Sequence, residues 1–313
     1  MLIIIRGFDD RTGSNPTSKG REKSVISADS THSISMPFMY VRWNVDPEIF
    51  NVFGLPIRYY GILFAMGLLS CGYVLSWIFK REELSKEKLS KLLVYGFVAI
   101  FLGARLAHCF FYEPSYYINH PLEIILPIHF LPEGGVEYTG FQGLASHGGT
   151  IGLIIAMILY SRRTHEPIVK TLDIVAIAAP LGACFIRLAN LMNSEIIGVS
   201  TSVPWAFIFE RVDNVPRHPA QLYEAIIYLL IFLLVFYLYF LKRIVINRGA
   251  YFGISISLIF TARFFIEFIK ERQVDFEEGL ILDMWQMLSI PLILVAVGFI
   301  IYGLRKRPVS TEI

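Results

Sequence analysis

The stretch PLGACFIRLANLMNSEIIG, residues 180–198, begins as an apolar run fit for a membrane and then carries Arg187, Asn190, Asn193 and Glu195. On a helical projection Pro180, Ala183, Arg187, Asn190 and Ser194 share one face, and Asn193 falls off it. At a rise of about 1.5 Å per residue, Arg187 lies about 7 Å below the end of this run. A guanidinium there can hold a phosphate by two parallel hydrogen bonds, and the small residues beside it allow close approach. The phosphate expected at that depth is a lipid head group.

Other polar residues interrupt apolar runs in the same way: Arg58, Tyr59 and Tyr60; Arg105, His108 and Tyr112; His147 in SHGGTIG; His218, Gln221, Tyr223 and Glu224 in RHPAQLYEA; Arg263 and Glu267; Asp283 and Gln286. Each also has a plain structural reading. Arg263 and Glu267 are four apart and could form an intrahelical ion pair. The Asn and Gln residues could bind helices together, and Tyr59 and Trp285 could anchor at an interface. The cysteines, Cys71, Cys109 and Cys184, lie in apolar runs without metal-ligand spacing and read as small buried hydrophobes.

The elements that must position these groups follow from composition. The chain has 313 residues, 55% hydrophobic and 17% charged, with a mean hydropathy of +0.55. A soluble domain needs more polar surface, so the expected class is an all-α, polytopic integral membrane protein. A net charge of +2 with no basic stripe gives no reason to expect a nucleic-acid partner. Seven transmembrane helices are expected near 61–79, 92–111, 147–160, 174–192, 221–241, 250–269 and 284–303. Alternate loops and the tail hold fourteen basic residues, among them Lys80, Arg162, Lys242 and Arg305, whereas loops 112–146, 193–220 and 270–283 hold four. That imbalance predicts a periplasmic N-terminus and a cytoplasmic C-terminus. With this orientation every span places its polar residues in the outer half, which predicts a cavity open to the outer leaflet or the periplasm. A transport path would have to cross the whole membrane, and the polar residues stop halfway.

Residues 1–45 do not fit the membrane pattern. RTGSNPTSKGREKSVISADSTHS is polar and poor in aromatics, and MLIII is too short for a signal peptide's apolar region. A disordered extension is expected there, with Met36 or Met39 as the natural start and residues 46–313 as the transmembrane domain.

RLANLMNSEIIG resembles the signature of the phosphatidylglycerol–prolipoprotein diacylglyceryl transferase family, Gly-Arg-x-Gly/Ala-Asn-Phe-x-Asn-x-Glu-x-x-Gly. Arg187, Ala189, Asn190, Asn193, Glu195 and Gly198 match it, whereas Ile186 replaces the glycine and Leu191 the phenylalanine. SHGGTIG, RHPAQLYE, FLGARL, RYYGILF and ARFFIEF are similar to further segments of this family, in its order, over roughly residues 46–305. FIKERQVD departs from the family's shorter, proline-containing arginine turn. The resemblance implies a multi-pass enzyme of the bacterial cytoplasmic (inner) membrane. It would move the diacylglyceryl group of phosphatidylglycerol to the lipobox cysteine thiol of a prolipoprotein signal peptide, releasing glycerol 1-phosphate, with no metal or soluble cofactor. His147 is then the candidate base, Tyr60 orients substrate, and Arg187 and Arg263 stabilise the leaving phosphate. Glu267 holds Arg263, while Arg105, Asn190, Asn193 and Glu195 bind the lipid head group or brace the outer loops.

Overall fold

The computed structural model describes residues 40–52, 55–131, 134–138, 143–242, 244–246, 248–271 and 282–305. Nearly all of the expected extension lies outside them. Among the described residues seven long helices follow one another: α1 (Tyr59–Arg81), α2 (Lys86–Phe111), α5 (Ser146–Thr164), α6 (Ile168–Met192), α7 (Ala220–Phe240), α8 (Ala250–Glu267) and α9 (Met284–Arg305). Six are long and apolar enough to cross a membrane. The other, α5, has 19 residues but carries His147 and two glycines at one end and Arg162 and Arg163 at the other. Outward-facing Leu69, Val94, Ile151, Leu230 and Leu294 are each more than half exposed, a surface suited to lipid and not to water. The chain is a multi-pass membrane protein.

The short helices α3 (Pro114–Asn119) and α4 (Leu122–Ile125) and the hairpin of β4 (Ile128–Phe130) and β5 (Val136–Tyr138) fill the 112–146 connection. A second hairpin, β2 (Glu48–Val52) with β3 (Leu55–Arg58), leads into α1. β1 (Val41–Trp43) pairs in parallel with β6 (Phe207–Phe209), which pairs with β7 (Pro216–Arg217). The expected boundary at residue 46 is therefore too late. Val41–Trp43 are strand, and the Trp43 Nε1 donates to the Leu191 carbonyl at 3.1 Å, a second donor beside the Ser194 N–H (3.0 Å), in the last turn of α6.

Two contacts decide how the bundle closes. α2 and α5 meet through glycine: a Cβ on Gly103 would lie 2.4 Å from the Gly148 carbonyl oxygen, and one on Gly152 would lie 2.2 Å from that of Ala99. Only glycine lets the two backbones approach so closely, as small residues do between membrane helices generally. The FLGARL and SHGGTIG segments are thus a packing seam that sets the position of His147. At the far end of the bundle, Asp173 of α6 accepts from the backbone N–H groups of Arg248 (3.1 Å), Gly249 (2.9 Å) and Phe252 (3.0 Å), capping α8 from outside.

Candidate functional site

Arg187 projects from the last turns of α6 into the bundle and is only 2% exposed. Its Nε lies 2.8 Å from the Oε2 of Glu224, a fully buried carboxylate in the second turn of α7. The other oxygen, Oε1, accepts from the Tyr228 hydroxyl at 3.1 Å and from Lys270 Nζ at 3.2 Å. Lys270 also donates to Glu267 Oε2 at 3.0 Å. Each of these charges would be costly alone in so dry a place, and together they satisfy one another. The buried anion beside Arg187 is therefore, first, a carboxylate of the protein itself.

Glu267 does not hold Arg263. Lys270 is buried beyond the end of α8 and draws both carboxylates, leaving Arg263 to lie over the ring of Trp285, 5.5 Å from its centroid. Among the described residues Arg263 has no carboxylate within ion-pair distance. The ion cluster thus joins Arg187 and Lys270 to Glu224 and Glu267, and Arg263 stands near it on the Trp285 ring.

The signature turn is a brace beside this cluster. Arg187 Nη1 donates to Asn190 Oδ1 at 3.3 Å, Asn190 Nδ2 to Glu195 Oε2 at 3.1 Å, and Asn193 Nδ2 to Glu195 Oε1 at 2.9 Å. Gln221 of α7 donates to the Glu195 carbonyl, tying the two helices together. Burial pushes the Glu195 carboxyl above the ordinary range, against the pull of the two amide donors. Ser194 and Ile196 take left-handed conformations, φ 54° and 58°, the second unusual for a β-branched residue. Gly198 cannot be larger, since a Cβ there would lie 2.5 Å from His218 Cβ and 2.7 Å from the Ile269 carbonyl oxygen. Its pairing with Lys270 carries that lysine to Glu224. Four buried atoms of this region, Asn193 Oδ1, Ser194 Oγ, Gln221 Oε1 and Glu224 Oε2, have no hydrogen-bond partner among the described residues, the last being met by its ion pair with Arg187.

His147, at the start of α5, stacks on Trp285 with ring centroids 4.9 Å apart. Tyr60, in the first turn of α1, is half-buried, and Glu195 and Arg187 are the charges that act on its hydroxyl. His147, Arg187, Arg263, Tyr60, Asn190, Asn193, Glu195 and Glu267 thus gather at one end of the bundle. Arg105 points elsewhere. It donates to the carbonyls of Glu123, Ile124 (3.1 Å) and Gly143 (3.4 Å) and lies over the Tyr117 ring, pinning α3 and α4 to the chain that enters α5.

Sequence reasoning gave no site role to Glu224, Lys270 or Trp285. Glu224 carried a signal, an acid inside an apolar run. Lys270 looked like an ordinary loop cation and Trp285 like an interfacial anchor, and nothing local distinguishes them.

A helix bundle with an apolar exterior and an ion network buried at one end defines a multi-pass membrane protein. The chain belongs to the prolipoprotein diacylglyceryl transferase family, whose sequence model matches residues 47–302. It is similar to proteins named phosphatidylglycerol–prolipoprotein diacylglyceryl transferase in several bacteria. That of Bacteroides fragilis is 51% identical over 270 residues, covering 86% of this chain and 98% of the relative. That of Chloroherpeton thalassium is 41% identical over 268 residues, with 85% and 96% covered. The protein from Tolumonas auensis is 40% identical over 266 residues, with 85% and 98% covered. The chain is a membrane transferase.

Proposed function

We propose that this protein moves the diacylglyceryl group of phosphatidylglycerol to the lipobox cysteine thiol of a prolipoprotein signal peptide in the bacterial inner membrane. The buried network faces the periplasm, as the loop charges favour. The observation that carries the reading is Arg263, which lies over Trp285 with no carboxylate at ion-pair distance among the described residues, close to the buried Arg187. A phosphodiester anion suits that pair of guanidinium groups. Arg263 meets that phosphate directly, and Arg187, already shared with Glu224, supplies the second positive centre. The unpartnered oxygens of Asn193, Ser194 and Gln221 suit the hydroxyls of the glycerol head group.

In the transfer step an imidazole nitrogen of His147 takes the thiol proton. The sulfur forms a bond to the terminal glycerol carbon of the diacylglyceryl group, and the bond from that carbon to the phosphate oxygen breaks. The electron pair leaves on glycerol 1-phosphate, whose growing charge Arg263 and Arg187 stabilise more than they did the ground state. A free thiol has a pKa of about 8.5, so a base nearby matters most at lower pH. Tyr60 orients the head group, and no metal or soluble cofactor takes part.

Purified protein incubated with phosphatidylglycerol and a lipobox peptide should add one diacylglyceryl mass to the peptide. No such product from well-folded protein overturns the reading. His147→Asn should lower turnover at least tenfold near neutral pH, with partial recovery as pH rises toward the thiol pKa. A defect constant across pH would make His147 a packing residue.

A further inference from the structure

Trp285 stands where two helix pairs meet. α5 packs chiefly on α2, and α9 on α8, yet at the site end the indole bridges them. Its ring stacks on His147 of α5, with 22° between the planes, and underlies the Arg263 guanidinium of α8. The residue is itself well fixed. Gln286, 1% exposed, donates from Nε2 to the Phe264 carbonyl at 3.2 Å and accepts from the Asp283 N–H at 3.0 Å. Ser289, equally buried, donates to the Trp285 carbonyl at 2.7 Å. The start of α9 is thereby locked to the last turns of α8.

We propose that Trp285 is a positioning residue, which sets the imidazole of His147 and the guanidinium of Arg263 at a fixed separation across the bundle. The inference rests on His147 and Arg263 acting in the transfer reaction. A flat π-face suits both tasks, stacking a neutral imidazole and attracting a cation. It also holds Arg263 without neutralising it, which a carboxylate would do. The competing role, anchoring at the membrane interface, makes different demands. An anchor needs an amphipathic ring at the right depth and no particular neighbour.

The test compares Trp285→Leu, Trp285→Phe, His147→Asn and the double variant His147→Asn/Trp285→Leu in the peptide assay. Small misplacements of reacting groups cost large factors in rate, so Trp285→Leu should lower kcat on the order of tenfold or more. KM for phosphatidylglycerol should change much less, and Trp285→Phe, which keeps a π-face, should recover most of the lost turnover. The double variant should be slower than His147→Asn by less than the full Trp285→Leu factor, since Trp285 acts in part through that ring and in part through Arg263. Normal kcat in Trp285→Leu beside an impaired His147→Asn overturns this proposal alone, as do losses that multiply in the double variant. Normal turnover in His147→Asn overturns the base assignment and this proposal with it. If Trp285→Leu does not purify, Trp285→Met serves in its place, with the same outcomes deciding.

Discussion

Two carboxylates in this bundle, Asp173 and Glu224, are equally and completely buried, and they are kept there by opposite means. Asp173 is solvated by backbone: three N–H groups at the start of α8 converge on it, so the helix end and the charge satisfy each other. Those backbone donors cannot move without unwinding the start of α8. Glu224 is solvated by side chains, Arg187, Lys270 and Tyr228, two of them charged. Such a group can share its partners with an incoming anion and take them back when the anion leaves. Burial alone does not separate a structural carboxylate from one at a working site. The kind of donor, side chain or backbone, does.

The largest expected effect comes from breaking the Glu224 side of this contrast. Arg187→Ala should abolish nearly all transfer, and because it strips a buried carboxylate of its main partner, it should also destabilise by about 3–5 kcal/mol. Adding Glu224→Gln should restore much of the thermal stability and none of the activity. Arg187→Lys keeps the charge and loses the planar fork, so it should be clearly impaired. Near-normal transfer by the alanine variant would reduce the network to a structural device.

Asp173→Ala should do the reverse. Stranding backbone donors at the start of α8 should cost about 3 kcal/mol, while kcat per folded molecule stays near wild type. Thermal unfolding in detergent and assays on the surviving fraction separate the two quantities, and a drop in kcat without loss of stability would dissolve the contrast. Gly198→Ala should fall between them. Its new methyl meets His218 and the Ile269 carbonyl, and relieving that overlap, at about 2 kcal/mol, shifts the segment that holds Lys270. Stability and transfer should therefore decline together.

The smallest effect lies outside the helices, at Asp213. Hydrogen bonds from the Arg217 guanidinium hold its carboxyl below the usual range. A depressed folded-state pKa contributes stability that is present above the unfolded value, about 3.9, and is lost as pH falls through the folded one. Asp213→Asn should accordingly be less stable than wild type by about 1 kcal/mol at neutral pH, with the gap closing on acidification. A gap that widens in acid would contradict the assignment.

Much of this architecture is legible in local pattern. The apolar runs expected at 61–79, 174–192 and 284–303 lie inside α1 (Tyr59–Arg81), α6 (Ile168–Met192) and α9 (Met284–Arg305). Periodicity and hydropathy are properties of neighbouring residues, and the lipid environment enforces helix wherever they persist. The gathering of polar groups in one half of the spans was legible for the same reason, since depth along a helix is counted in residues. So was the placing of Arg187 on a face of small residues.

What the sequence could not decide was which polar group meets which. Arg187 finds Glu224 from another helix, 37 positions away in the chain. Glu267 turns from Arg263, its partner by helical spacing, to Lys270. Arg105, similar in local setting to Arg187, is spent on carbonyls of a surface connection, and Trp43, placed by composition in the extension, closes the end of α6. Partner choice in a dry interior depends on the three-dimensional distances among several helices and on how many charges must be satisfied at once. Those distances follow from close contacts such as Gly103 with Gly148, and only the assembled bundle brings such contacts about.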